Sequence, residues 1–164
     1  MRGYFLTNMY LSPIQCGIQA AHCMHDMFVT YKRFNNEASD KLWTWAEHHK
    51  TMIVLNGGTG EDLQAVYDFM MKNIEDYPFE LFHEPGIGNA LTCVGIVFNE
   101  HMIDGMKYAR EYPEMTTCRI FKDPGAFGSI YINPEGFHSP ETLEVMYSPE
   151  EWELCRMLAH KSLA

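Results

Sequence analysis

Hydrophobic residues fall in short blocks whose period changes along the chain. Residues 2–11, rich in aromatic and branched side chains, predict a first strand. Ser12-Pro13 follows as a cap and a first-turn proline, and the small residues Gly17, Ala20 and Ala21 predict a helix running to about residue 33. The Asn35-Asn36 pair breaks that pattern, and residues 40–49 predict a second helix or an ordered loop. Thr51-Met52-Ile53-Val54-Leu55 is a short apolar run of strand type, closed by the turn residues Asn56-Gly57-Gly58-Thr59-Gly60. Leu63, Val66, Tyr67, Met70 and Met71 then recur at helical spacing, behind the acidic pair Glu61-Asp62 that favours a helix start.

Residues 77–83 predict a third strand, residues 84–89 a tight loop, and residues 90–98 the longest apolar run. An unbroken run of that kind belongs to a strand buried on both faces, here the centre of a sheet. Residues 101–112 are helical in pattern. The order β-α-α-β-α-β-β-α predicts an α/β fold, a mixed four-stranded sheet with helices on both faces, over residues 1–112. Residues 113–164 read differently. Residues 116–121 and 129–132 flank Asp123-Pro124-Gly125 as a hairpin would, and Ser148-Pro149-Glu150-Glu151 opens a last helix at capping-box spacing. That helix carries Trp152, Cys155, Leu158 and Ala159 as an apolar stripe. The stripe needs cover, either from the chain's own core or from a second copy in a homodimer.

Composition narrows the class. With 164 residues, 46% hydrophobic and 21% charged, the chain suits one globular domain that needs no metal or disulfide to hold its core. Its five cysteines include no C-x-x-C pair, which argues against a zinc knuckle, and Cys93 reads as a small core residue. No signal peptide is visible, and no apolar run approaches the roughly 18 residues that cross a membrane. The cytoplasm is the expected compartment. The net charge of −10 disfavours broad binding to nucleic acid.

The richest segment for chemistry is residues 11–22, where a polar turn leads from the first strand into a helix bearing Gln19 and His22 on one face. Strand-to-helix junctions are where open α/β sheets bind ligands. The same residues also fit a buried helix with one satisfied histidine. His22, His25 and Asp26 lack the spacing of a helical zinc site, so no metal is expected. No cofactor is implied either, because the glycine turn at 56–60 lacks the Lys-Ser/Thr pair of a nucleotide loop.

In the order of these motifs the chain resembles the type 2 peptidyl-tRNA hydrolases. Gln19, Ala21 and His22 stand where that family has its Ala-Gln…Ala-His segment. Thr44-Trp45, Lys50 and Ile53-Val54-Leu55 are similar to its second strand and approach, and Glu84-Pro85-Gly86 followed by Thr92-Cys93-Val94-Gly95-Ile96 is similar to its acidic loop and apolar strand. The resemblance covers roughly residues 2–110. It implies His22 and Glu84 as catalytic residues, and Gln15, Gln19, Asn56, Gly86, Asn89 and Thr92 as substrate-binding ones. It also has departures: Gln15 and Asn56 stand where the family has lysines, Glu84 replaces an aspartate, and the loop from Gly86 to Thr92 is shorter. Two lost cations weaken the hold on a phosphate or a developing oxyanion. The expectation is therefore a divergent hydrolase of an ester or nucleotide conjugate, with weak or absent activity on peptidyl-tRNA. Its alternative is a non-catalytic binder of a small ligand or partner protein.

Overall fold

The computed structural model describes residues 1–32, 36–115, 119–122, 130–131 and 143–164. Its elements are β1 (Arg2–Asn8), α1 (Pro13–Thr30), α2 (Glu37–Thr44) running on into a π-helical turn (Trp45–His49), β2 (Met52–Gly58) and α3 (Gly60–Asn73). They continue with β3 (Phe79–Glu84), a 3-10 turn (Pro85–Ile87), β4 (Ala90–Phe98), α4 (Glu100–Glu111), β5 (Arg119–Lys122), β6 (Ile130–Tyr131), β7 (Leu143–Met146) and α5 (Pro149–Ala159).

The main sheet has strand order β2-β1-β4-β3. β1 runs parallel to β2, placing Tyr4 opposite Ile53 and Leu6 opposite Leu55, while β4 runs antiparallel to both β1 and β3. The long apolar run is thus a central strand, and Cys93, Val94, Ile96, Val97 and Phe98 are fully buried. Alternation along the strands divides the core in two. Phe5, Cys93 and Val97 meet Ala20, Cys23 and Met27 of α1 with Leu42 and Trp45, whereas Tyr4, Leu6, Val94 and Ile96 meet Leu63, Val66 and Met70 of α3 and Met102 and Met106 of α4. Helices therefore cover both faces of a mixed four-stranded sheet. Among the described residues no helix is long and apolar enough to cross a membrane.

Close approach explains two glycines. A Cβ on Gly95 would lie 2.8 Å from the Phe5 ring and 3.1 Å from Cys23 Sγ, so glycine lets α1 settle onto the sheet. A Cβ on Gly105 would lie 2.7 Å from both Cys155 Sγ and the Tyr147 ring, so glycine lets α4 and α5 pack together.

Element ends differ from the sequence expectation where side chains cap the backbone. β1 stops at Asn8, because Asn8 folds the chain back by accepting from Tyr10 N (3.1 Å) at Oδ1 and from Leu11 N (3.1 Å) at its carbonyl. α1 ends at Thr30, short of residue 33. α2 begins before residue 40 because the Asn36 side chain accepts from Ser39 N at 2.8 Å and caps it. α3 opens on Thr59, whose hydroxyl accepts from Asp62 N while Asp62 accepts from Thr59 N.

In the carboxy-terminal part β5 pairs antiparallel with β6, as the hairpin pattern implies, and also with β7, making a second sheet of order β6-β5-β7. The Asp123-Pro124-Gly125 turn lies outside the described residues. α5 carries the expected capping box of Ser148 and Glu151. Its stripe of Trp152, Cys155, Leu158 and Ala159 is buried in the same core cluster as α3 and α4, so the chain's own core covers it.

Candidate functional site

α1 lies along β3, and its residues meet that strand step by step. The His22 ring stacks on Phe82 with centroids 4.8 Å apart, Cys23 Sγ donates to Glu80 O (3.3 Å), and Thr30 Oγ1 donates to a Glu80 carboxylate oxygen (2.5 Å). At the end of the strand Gln19 Nε2 donates to Glu84 Oε2 at 2.9 Å. Phe82 and Glu84 share this face because residues two apart on a strand point the same way.

Thr92 joins them through a bulge in β4. Phe82 faces Cys93 and His83 faces Leu91, so Thr92 is the extra residue. The bulge turns its side chain to the α1 face while Leu91 stays with the α3 face. Thr92 is only 1% exposed, and its hydroxyl lies 2.9 Å from Gln19 Oε1 and 3.1 Å from Phe82 O. A buried amide thus has both ends satisfied, its oxygen by a threonine hydroxyl and its nitrogen by a carboxylate.

The carboxylate is held at two points. Its second oxygen, Oε1, accepts from Gly86 N at 3.0 Å in the 3-10 turn. The Gln19 amide, then the Gly86 N–H, hold the Glu84 carboxyl below its ordinary value, and His22 adds a smaller pull in the same direction. Glu84 is thus an oriented, ionised carboxylate beside an exposed imidazole that rests on an aromatic ring. Such a pair can accept a proton from water and return one to a leaving group. The loop beyond is exposed, and Gly88 and Asn89 both take left-handed backbone, with φ of 69° and 59°.

Of the residues implied by the resemblance, the structure brings Gln19, His22, Glu84, Gly86 and Thr92 together at one end of the α1 face. Asn89 lies in the exposed loop between Gly86 and Thr92. Gln15 is bound into the α1 capping box, its Oε1 accepting from Ser12 N at 2.9 Å. Asn56 accepts from Gly58 N at 2.9 Å and, with Thr7, Asn8 and Cys16, lines a small hollow of about 130 Å³. The glycine turn directs Thr59 N and its hydroxyl at Asp62 Oδ2, each at 2.8 Å, so a protein carboxylate already takes these donors.

Sequence reasoning missed Phe82, the platform for His22. The signal was its two-residue spacing from Glu84. Burial pushes the Cys93 thiol well above its ordinary range, which makes it a core residue and not a nucleophile. Among the described residues no group of three or more His, Cys, Asp and Glu side chains is placed to hold a metal. No protein-family model matches the chain, and no curated protein matches it.

Proposed function

We propose that the chain is a hydrolase of the type 2 peptidyl-tRNA hydrolase kind, cleaving an ester or nucleotide conjugate at Glu84 and His22. The observation that carries this reading is the two-point hold on Glu84. Gln19 and Gly86 fix both carboxylate oxygens, and each oxygen keeps a lone pair for a water. Glu84 takes a proton from that water as its oxygen attacks the ester carbonyl. The bond to the leaving oxygen then breaks, and protonated His22 supplies the proton that oxygen needs. Gln15 and Asn56 place neutral amides where the family has lysines, so peptidyl-tRNA itself is expected to turn over weakly.

The test is hydrolysis of a nitrophenyl ester and of a peptidyl-tRNA mimic by the purified chain, beside Glu84→Gln and His22→Ala. Ester cleavage that falls in both variants supports the reading. Equal rates in wild type and Glu84→Gln sink it. A non-catalytic binder is the second reading, and it rests on Gln15 and Asn56, whose side chains are spent on a cap and a turn. It expects no turnover and unchanged ligand affinity in Glu84→Gln.

A further inference from the structure

A cleft of about 910 Å³ lies on the opposite face of the sheet, and neither Glu84 nor His22 lines it. Its floor is Tyr4 and the β2 residues Ile53 and Leu55. α4 forms one wall and residues 159–163 the other. The second wall is built onto the sheet edge: Asn56 N donates to Ser162 O (2.8 Å) and Ala164 N to Val54 O (3.1 Å). Arg110 Nε donates to Ala159 O at 2.7 Å and ties α4 to the end of α5.

The charges in this cleft are unusual for so acidic a chain. Arg2, Lys107, Arg110 and Lys161 all line it, although the net charge is −10. Glu100, Asp104 and Glu111 line it too, yet among the described residues Arg2, Lys107 and Arg110 have no carboxylate oxygen within 4.0 Å. Arg2 and Arg110 line the cleft together with Tyr4 of its floor. Arginines with no carboxylate partner among the described residues, beside an apolar floor, are suited to an incoming anion, because guanidinium matches carboxylate and phosphate oxygens two at a time. The volume falls within the ordinary range of small-molecule sites.

We propose that this cleft binds a small amphipathic anion. An apolar body would lie on Tyr4, Ile53 and Ile103, and one carboxylate or phosphate would sit between Arg2 and Arg110. A mononucleotide and a fatty carboxylate share that chemistry. The site is separate from the hydrolytic one, so either can fail without the other.

Titration of the full chain with anilinonaphthalene sulfonate, an aromatic anion that fluoresces when sheltered, tests the assignment. One saturable site is expected. Arg2→Gln and Arg110→Gln should each weaken it by about tenfold, the loss of one charge-assisted contact. Arg2 is exposed, so Arg2→Gln keeps the fold even if Arg110→Gln loosens the contact with Ala159. Glu84→Gln should bind as wild type does. Displacement by adenosine monophosphate points to nucleotides, and displacement by decanoate to fatty carboxylates. Absence of a saturable site, equal affinity in the Arg2→Gln protein, or displacement by neither competitor overturns the proposal.

Discussion

The two faces of the sheet are covered by different means. On one, α1 sits close because its contact residues are small, with Ala20 and Cys23 both fully buried and Cys23 over Gly95, and it brings a buried polar residue, Gln19, to the sheet. On the other, α3, α4 and α5 pack bulky side chains such as Leu63, Met70, Met102 and Leu158 against Tyr4, Leu6, Ile96 and Phe98. The chemistry of the close face is a hydrogen-bonded chain at its end. The bulky face stays open over the first residues of β1 and β2, and its chemistry is a cleft. Small contact residues favour precise polar placement, whereas large ones favour burial and leave gaps where no helix reaches.

The largest effect separates activity from packing. Glu84→Gln keeps the shape of the side chain and removes its basicity. If Glu84 is the base, ester turnover should drop by about a thousandfold, the middle of the range for general base catalysis. The melting temperature should move little, since the side chain is half exposed. A variant that stays active while melting normally would leave the close face with a structural polar chain only.

Stability should respond next, and differently on each face. Leu63 is fully buried under α3, so Leu63→Ala should cost about 3 kcal/mol through lost burial and the cavity left behind. Gly95→Val acts in the opposite sense, by overfilling. It forces a methyl against Phe5 and Cys23, at a cost of about 2 kcal/mol. Urea denaturation measures both. A Gly95→Val protein as stable as wild type would show that α1 can ride outward freely, contrary to the close-packed picture.

These contrasts also explain what the sequence allowed one to read. The apolar run at 90–98 and the helical period at 63–71 placed the central strand and α3, because burial on both faces and on one face leave different patterns. Ser12-Pro13 and Ser148-Pro149 marked two helix starts for a local reason, a hydroxyl three residues from its donor. The bulge at Thr92 left no such mark. Alternation alone puts Thr92 on the α3 face, and only the pairing of β3 with β4 turns it to Gln19. The cleft was equally hidden, because its wall at residues 162–164 meets β2 from about a hundred residues away in the chain. Residues joined by a turn or a cap are legible; residues joined by register are not.

The polar chain on the close face offers a finer test. Gln19→Met fills the same volume and removes both hydrogen bonds. The Thr92 hydroxyl keeps Phe82 O as a partner, so the cost should be about 1 kcal/mol. Removing the Gln19 donor should raise the Glu84 carboxyl toward its ordinary value of 4.5. The sign for stability follows from that shift. A carboxyl held low in the folded protein stabilises it above about pH 4.5, and this contribution is lost as the pH falls through the folded value. The gap between wild type and Gln19→Met should therefore narrow below pH 4.5. A titration of Glu84 followed by NMR, unchanged in the variant, would show that Gly86 alone sets the carboxyl.

The smallest effect belongs to the bulky face. Ser148 Oγ accepts from Glu151 N at 3.0 Å, and Glu151 accepts from Ser148 N at 3.0 Å, so each closes one open donor at the start of α5. Ser148→Ala removes the first bond at an exposed position, and about 0.5 to 1 kcal/mol should go with it. The loss stays small because Trp152, Leu154, Cys155 and Leu158 hold the helix against α4 whether or not its first turn is capped. Native-state hydrogen exchange should show faster exchange confined to the first turn of α5, with protection of Leu158 and Ala159 unchanged. Exchange rising along the whole of α5 would mean that the cap, and not the buried stripe, keeps the helix in place.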